Sequence, residues 1–153
     1  MVTSAESGIH TLEIVKSSEI AAPADIVFET VLDLIGPESE MPDGTPFPMK
    51  IEPWPGGRWY RDLGNSSGHY WGHVQVIKPP ALIEICVPLF MSFPVVSHVQ
   101  YRLVACDVGT RLTITHRALG LIPADIRAQE GWEFQIQRVR KVAEERQRGA
   151  SGK

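Results

Sequence analysis

Apolar positions along this chain recur with a period of two over most of its length and switch to a helical period at two places. Leu12, Ile14 and Val15 within residues 10–20 suit a first strand. Ala22-Pro23-Ala24-Asp25 follows, with Pro23 placed to start a helix and Asp25 in its early turn, at the positive end of the helix dipole. Ile26, Val27, Val31, Leu34 and Ile35 keep roughly helical spacing until Gly36-Pro37 ends the element. Residues 38–55 hold five prolines (Pro42, Pro46, Pro48, Pro53 and Pro55), which allow a short helical turn and a strand near 48–52 but no long element.

Strands are expected at 58–63, 69–78 and 81–87. Gly64-Asn65-Ser66-Ser67-Gly68 and Pro79-Pro80 separate them, and an apolar loop at 88–94 follows. The clearest pair is 95–105 with 110–119, joined by Cys106-Asp107-Val108-Gly109. Pairing Leu103 with Leu112 puts Val99, Tyr101, Leu103, Leu112, Ile114 and His116 on one face. Gln100, Arg102, Arg111, Thr113, Thr115 and Arg117 fall on the other. A last helix over about 124–146 carries Trp132, Ile136, Val139 and Ala143 in one stripe, with Arg138, Arg140, Lys141 and Glu144 mostly outside it.

This order predicts an α+β, helix-grip fold: a curved antiparallel sheet of about six or seven strands around a long C-terminal helix, with short helical structure after strand 1. Such a helix over a curved sheet encloses a volume. Residues 1–9 are expected to be a disordered N-terminus, 10–147 a single domain and 148–153 a flexible tail.

Composition narrows the function. The 43% hydrophobic and 22% charged content is that of a soluble globular protein. The net charge is −3 without a dense Lys/Arg block, which argues against nucleic-acid or anionic-membrane partners. The most apolar window, 85–96, contains Pro88 and Pro94 and is shorter than the about 20 residues a bilayer span needs. No secretory signal is evident, and Cys86 and Cys106 lack CxxC spacing, so free thiols in a cytoplasmic setting are expected. No phosphate loop, nucleophile–base set or cofactor motif stands out.

Five blocks together resemble the START-like (SRPBCC, Bet v-like) superfamily: EIAAPADIVFETVLD (19–33), GGRWYRDLG (56–64), GHVQVIKPPALIEI (72–85), GTRLTITHRALG (109–120) and GWEFQIQRVRKVAEE (131–145). Within it the chain is similar to the branch named after the C-terminal domain of the activator of the heat-shock 90 chaperone ATPase. The resemblance implies binding of an apolar or amphipathic small molecule between sheet and long helix. It also implies kinship to polyketide cyclases and lipid carriers. The chain leaves no room for the additional N-terminal chaperone-binding domain of the eukaryotic activators, which argues against co-chaperone activity.

His116 is expected to point inward, either as a ligand contact or general base, or as a core histidine held by a backbone carbonyl or Tyr101. Tyr101 offers a phenol on the same face. Trp59 and Arg61 share one face, and an inward Arg61 would attract a carboxylate or phosphate head group, whereas the ordinary fate of such an arginine is to reach solvent. Ile114, Trp132 and Ile136 complete the expected pocket wall, with Met91 and Phe93 near its entrance.

Glu84 fits two registers. In one, Ile83, Ile85 and Val87 point inward and Glu84 outward; in the other, which the resemblance favours, Leu82, Glu84 and Cys86 are buried. His69, Trp71, His73 and Gln75 are placed opposite Tyr70, Gly72, Val74 and Val76. No carboxylate or thiol cluster joins those histidines, so no metal is expected. Trp71 on an outer face, or the bulky loop residues Trp54, Phe90, Met91 and Phe93, would suit a homodimer contact. The expected activity is therefore binding of a small hydrophobic or amphipathic molecule. The rivals are a cyclase-, hydrolase- or dehydratase-type enzyme using His116, alone or with Glu84 or Tyr101, and a protein-interaction module.

Overall fold

The computed structural model describes residues 8–88, 93–124 and 131–151. Among them β1 (His10–Ile20) leads into α1 (Ala24–Ile35), and β2 (Lys50–Ile51), β3 (Arg58–Gly64), β4 (Ser67–Lys78), β5 (Leu82–Cys86), β6 (Val95–Cys106) and β7 (Gly109–Gly120) follow. The chain ends in α2 (Gly131–Ser151). The seven strands form one antiparallel sheet in the order β1-β7-β6-β5-β4-β3-β2. This is the helix-grip architecture, with the first strand closing onto the last.

Local chemistry explains the joints. Pro23 stands at the N-cap of α1 with Asp25 in the first turn, and the helix stops at Gly36. Asn65 and Ser66 connect β3 to β4 with φ of 53° and 62°, as a two-residue hairpin of type I′ demands. Gly57 precedes β3 where the Glu52 carbonyl oxygen lies so close that a Cβ would run into it. The β6–β7 register sets Leu103 against Leu112 and Tyr101 against Ile114, so both inner faces reach one core.

α2 lies along β1, β7 and α1. Ile136, Val139 and Ala143 sink into the core. One flank of α2 meets β1, through Glu133 to Lys16 at 3.6 Å and Glu144 to the Ala21 amide at 2.9 Å. The other meets α1 and the loop after it, through Arg146 to Asp33 at 3.0 Å and Arg138 to Glu40 at 3.2 Å. The helix runs to Ser151, past residue 147 where a tail is expected from sequence.

One choice left open by the sequence is decided and one expectation is corrected. Glu84 lies on the outer face: it pairs with Gln100, and accepts hydrogen bonds from Gln100 Nε2 at 2.8 Å and His98 Nε2 at 3.2 Å. Ile83 and Ile85 are the inward set, which rules out a buried catalytic Glu84. Trp71 is not an outer-face residue. The β3–β4 register shifts between Trp59 and Tyr60, and the extra residue in β4 turns Trp71 onto the core, where its ring meets Trp59 and Phe47 at 5.5 and 6.0 Å.

Candidate functional site: the inner strip between α2 and β3–β4

His116 sits on β7 opposite Val99 of β6 and Ile14 of β1, and is 2% exposed. Trp132, in the first turn of α2, donates its indole N–H to His116 Nδ1 at 3.0 Å. An indole nitrogen can only donate, so Nδ1 carries no proton and the neutral ring holds its hydrogen on Nε2. Nε2 then donates to Ser97 Oγ at 3.2 Å. Burial pushes the His116 pKa down to about 4. The ring is thus neutral and engaged at both nitrogens, a core histidine as in the second expectation, although Ser97 and Trp132 hold it rather than a carbonyl or Tyr101. Its geometry gives a general base neither access nor a suitable pKa.

Tyr101 lies beside it, with its ring at 6.3 Å edge-on to Trp132. The residue is 1% exposed and its hydroxyl has no hydrogen-bond partner among the described residues. Burial alone drives its pKa upward, so the phenol stays protonated.

A second group of half-buried side chains runs from the flank of α2 to β3 and β4. Arg61 places its guanidinium 3.7 Å from the Phe47 ring centroid. Phe47 is held by the Ser39 carbonyl, which accepts its amide at 2.8 Å, one residue from Glu40, the partner of Arg138. The loop after α1 therefore receives both arginines, Arg61 of β3 on the Phe47 ring and Arg138 of α2 on the Glu40 carboxylate. Arg61 Nη1, Arg138 Nη1, Trp71 Nε1, Gln135 Nε2 and His69 Nδ1 are all buried without a partner among the described residues. Nearly every one of these atoms is a donor.

The structure sorts the expected pocket residues. Trp132 and Tyr101 touch each other and His116 touches Trp132, whereas Ile114 and Ile136 are packed core at 1% exposure. Trp59 is structural: it is 6% exposed and donates Nε1 to the Ile35 carbonyl at 2.7 Å, pinning β3 to the end of α1. Arg61 turns inward. Phe93 is 39% exposed, and Met91 lies outside the described residues. Sequence reasoning missed Phe47, Ser97, Gln135 and Arg138. Only Arg138, on the flank of the apolar stripe, left a trace in the pattern.

The outer face carries polar pairs of its own. Tyr70 Oη lies 2.9 Å from His73 Nδ1, and His73 Nε2 lies 3.2 Å from Cys86 Sγ. Burial first and Glu84 second push the Cys86 thiol pKa up, which keeps it protonated and poorly nucleophilic. Cys86 and Cys106 are free. Among the described residues no group of three or more His, Cys, Asp or Glu side chains is placed to hold a metal ion, and no helix is long and apolar enough to cross a membrane. Two grooves bounded by described residues lie on outer surfaces, one on α2 around Arg140 and one along Val96–His98 and Arg117–Leu119.

The family described as activator of Hsp90 ATPase homolog 1-like protein matches residues 21–144, which span α1 through most of α2. The chain belongs to that family. No curated protein matches the chain. Solved structures share the fold of this family member at low identity. A protein of Rhizobium leguminosarum described as uncharacterized superposes with a TM-score of 0.67 at 18% identity, over 90% of this chain and 97% of its own. A Chromobacterium violaceum protein gives 0.63 at 17%, over 87% and 98%. CalU16 from Micromonospora echinospora gives 0.53 at 20%, over 92% and 87%. The shared feature is the sheet and its terminal helix, the frame that positions the inner strip.

Proposed function

We propose that this protein binds a small amphipathic molecule in the interior between the flank of α2 and the β3–β6 part of the sheet. One observation supports the reading: Tyr101 on β6, Gln135 and Arg138 on α2, Trp71 on β4 and Arg61 on β3 each keep a buried polar atom with no hydrogen-bond partner among the described residues. A buried group left without a hydrogen bond costs about 1–3 kcal/mol, so a ligand that supplies acceptors there relieves a cost the free protein carries. The aromatic rings of Phe47, Trp71 and Trp132 offer apolar area beside those atoms. Burial of apolar ligand surface, at about 25 cal/mol per Å², would supply most of the affinity, and the polar atoms its orientation.

The reading is binding without proton transfer at His116, because that ring is sealed by Trp132 and Ser97. It needs no second copy of the chain, so the homodimer expected from sequence is a separate matter. Both cysteines being free supports a reducing, cytoplasmic setting.

Native mass spectrometry of the gently purified protein is the test. A co-purifying small molecule, lost on denaturation and absent from a Trp71→Ala, Tyr101→Ala variant, is the expected result. A protein that carries no such mass, and whose melting temperature no amphipathic compound raises, sinks the reading.

A further inference from the structure

We infer that the polar end of this ligand is a monoanionic carboxylate, held at the Arg61–Arg138 end of the strip with its apolar tail directed toward Trp132. The inference rests on the binding reading above and adds the chemical class of the ligand. Charge is the first ground. Arg61 has no carboxylate within ion-pair distance among the described residues, while Arg138 has Glu40 at 3.2 Å. Asp62, next in sequence to Arg61, is engaged elsewhere, with Lys50 at 3.1 Å and the Gly64 amide at 2.9 Å. Asp33 and Glu38 are taken by Arg146. Arg61 on Phe47 and Arg138 on Glu40 therefore dock on the same loop, whose two limbs are joined by the Phe47 amide to Ser39 carbonyl bond and the Glu40–Pro46 bridge. Its one carboxylate so engaged leaves one positive charge for a ligand to match.

Hydrogen bonding is the second ground. The orphaned atoms Arg61 Nη1, Arg138 Nη1 and Trp71 Nε1 can only donate, so they require a ligand group rich in acceptors and poor in donors. A carboxylate has two acceptor oxygens in the plane a guanidinium fork prefers. A phosphate monoester carries nearly two charges and would leave an unmatched negative charge in a partly buried site. An alcohol brings a donor of its own and no charge. The half-buried position of Arg61 on the Phe47 ring, instead of an extended side chain in solvent, holds its charge ready for such a partner.

The test is isothermal titration of the intact protein at neutral pH with decanoate, 1-decanol and monodecyl phosphate, three probes with one tail. The wild type is expected to bind decanoate at least tenfold tighter than decanol, and tighter than the phosphate. Arg61→Gln removes most of that preference and leaves decanol within twofold, whereas Arg61→Lys retains part of it. Glu40→Gln, which adds a net positive charge without touching Arg61, tightens decanoate several-fold and leaves decanol unchanged. Equal binding of decanoate and decanol overturns the carboxylate while leaving the binding reading in place. Tighter binding of the phosphate overturns the single charge, and unchanged decanoate affinity in Arg61→Gln overturns the residue assignment. Binding of none of the three overturns the reading beneath it as well.

Discussion

Trp132 donates its indole N–H to His116 Nδ1 at 3.0 Å, a bond that joins the start of α2 to the inner face of β7. It fixes the tautomer of a buried imidazole and, through Nε2, orients Ser97 on β6. Three consecutive elements, β6, β7 and α2, are thereby tied in one polar chain within an apolar core.

Breaking that chain is expected to destabilise the fold. Trp132→Phe leaves His116 Nδ1 as a buried acceptor without its donor, at a cost of about 1–3 kcal/mol beyond the lost ring area. Ser97→Ala orphans the Nε2 hydrogen at a similar cost. Urea unfolding followed by circular dichroism measures both. A loss under about 0.5 kcal/mol in either variant means that His116 finds another partner at no expense.

The same ring sets a pH dependence. His116 titrates near 4 in the folded protein against an ordinary 6.5, so between those values the unfolded chain binds a proton that the folded one refuses. Its stability contribution is complete above about pH 6.5 and declines as pH falls toward 4, by about 3 kcal/mol in total. Glu52, held down to about 2 by Arg58, acts below its ordinary 4.5 and so in a lower window. Stability curves of wild type and His116→Leu between pH 7 and 4 check this. The variant is expected to lose the decline in that interval.

Tyr101→Phe has an unusual expectation. The hydroxyl it removes is buried and unpartnered among the described residues, so the free protein is expected to hold its stability or gain up to about 1 kcal/mol. Affinity for a bound amphipath should fall. A marked loss of stability with no change in binding would show that the hydroxyl serves the fold.

Trp59 and Trp71 touch at 5.5 Å yet predict opposite results. Trp59→Phe removes a bond to the Ile35 carbonyl and orphans a buried acceptor, costing about 1–3 kcal/mol in addition to lost packing. Trp71→Phe removes a donor that has no partner among the described residues, so only the packing difference remains. Paired thermal unfolding of the two variants decides the matter, and equal losses would contradict the assignment.

The β6–β7 hairpin was legible because a period of two leaves little choice. A slip of one residue would turn Tyr101, Leu103, Leu112 and Ile114 to solvent, so the register that pairs Leu103 with Leu112 follows from pattern alone. The same rule failed at Trp71. A bulge inserts one residue without leaving a mark in the hydrophobic pattern, and every facing beyond it reverses. Glu84 was open for a related reason: both faces of β5 are largely apolar, so alternation could not choose, and the pairing with Gln100 did.

Read alone, the chain determined its elements, their order and the inner face of its longest hairpin, because those follow from side-chain spacing and from where proline and glycine stand. It also marked His116, Trp132, Tyr101 and Arg61 as inward candidates. Only the tertiary structure decided what those side chains meet. Ser97 seals His116, the loop after α1 brings Glu40 and Phe47 to Arg138 and Arg61, and several buried donors are left without a partner among the described residues. Partnership between residues tens of positions apart depends on the crossing of helix over sheet, and no local pattern encodes that.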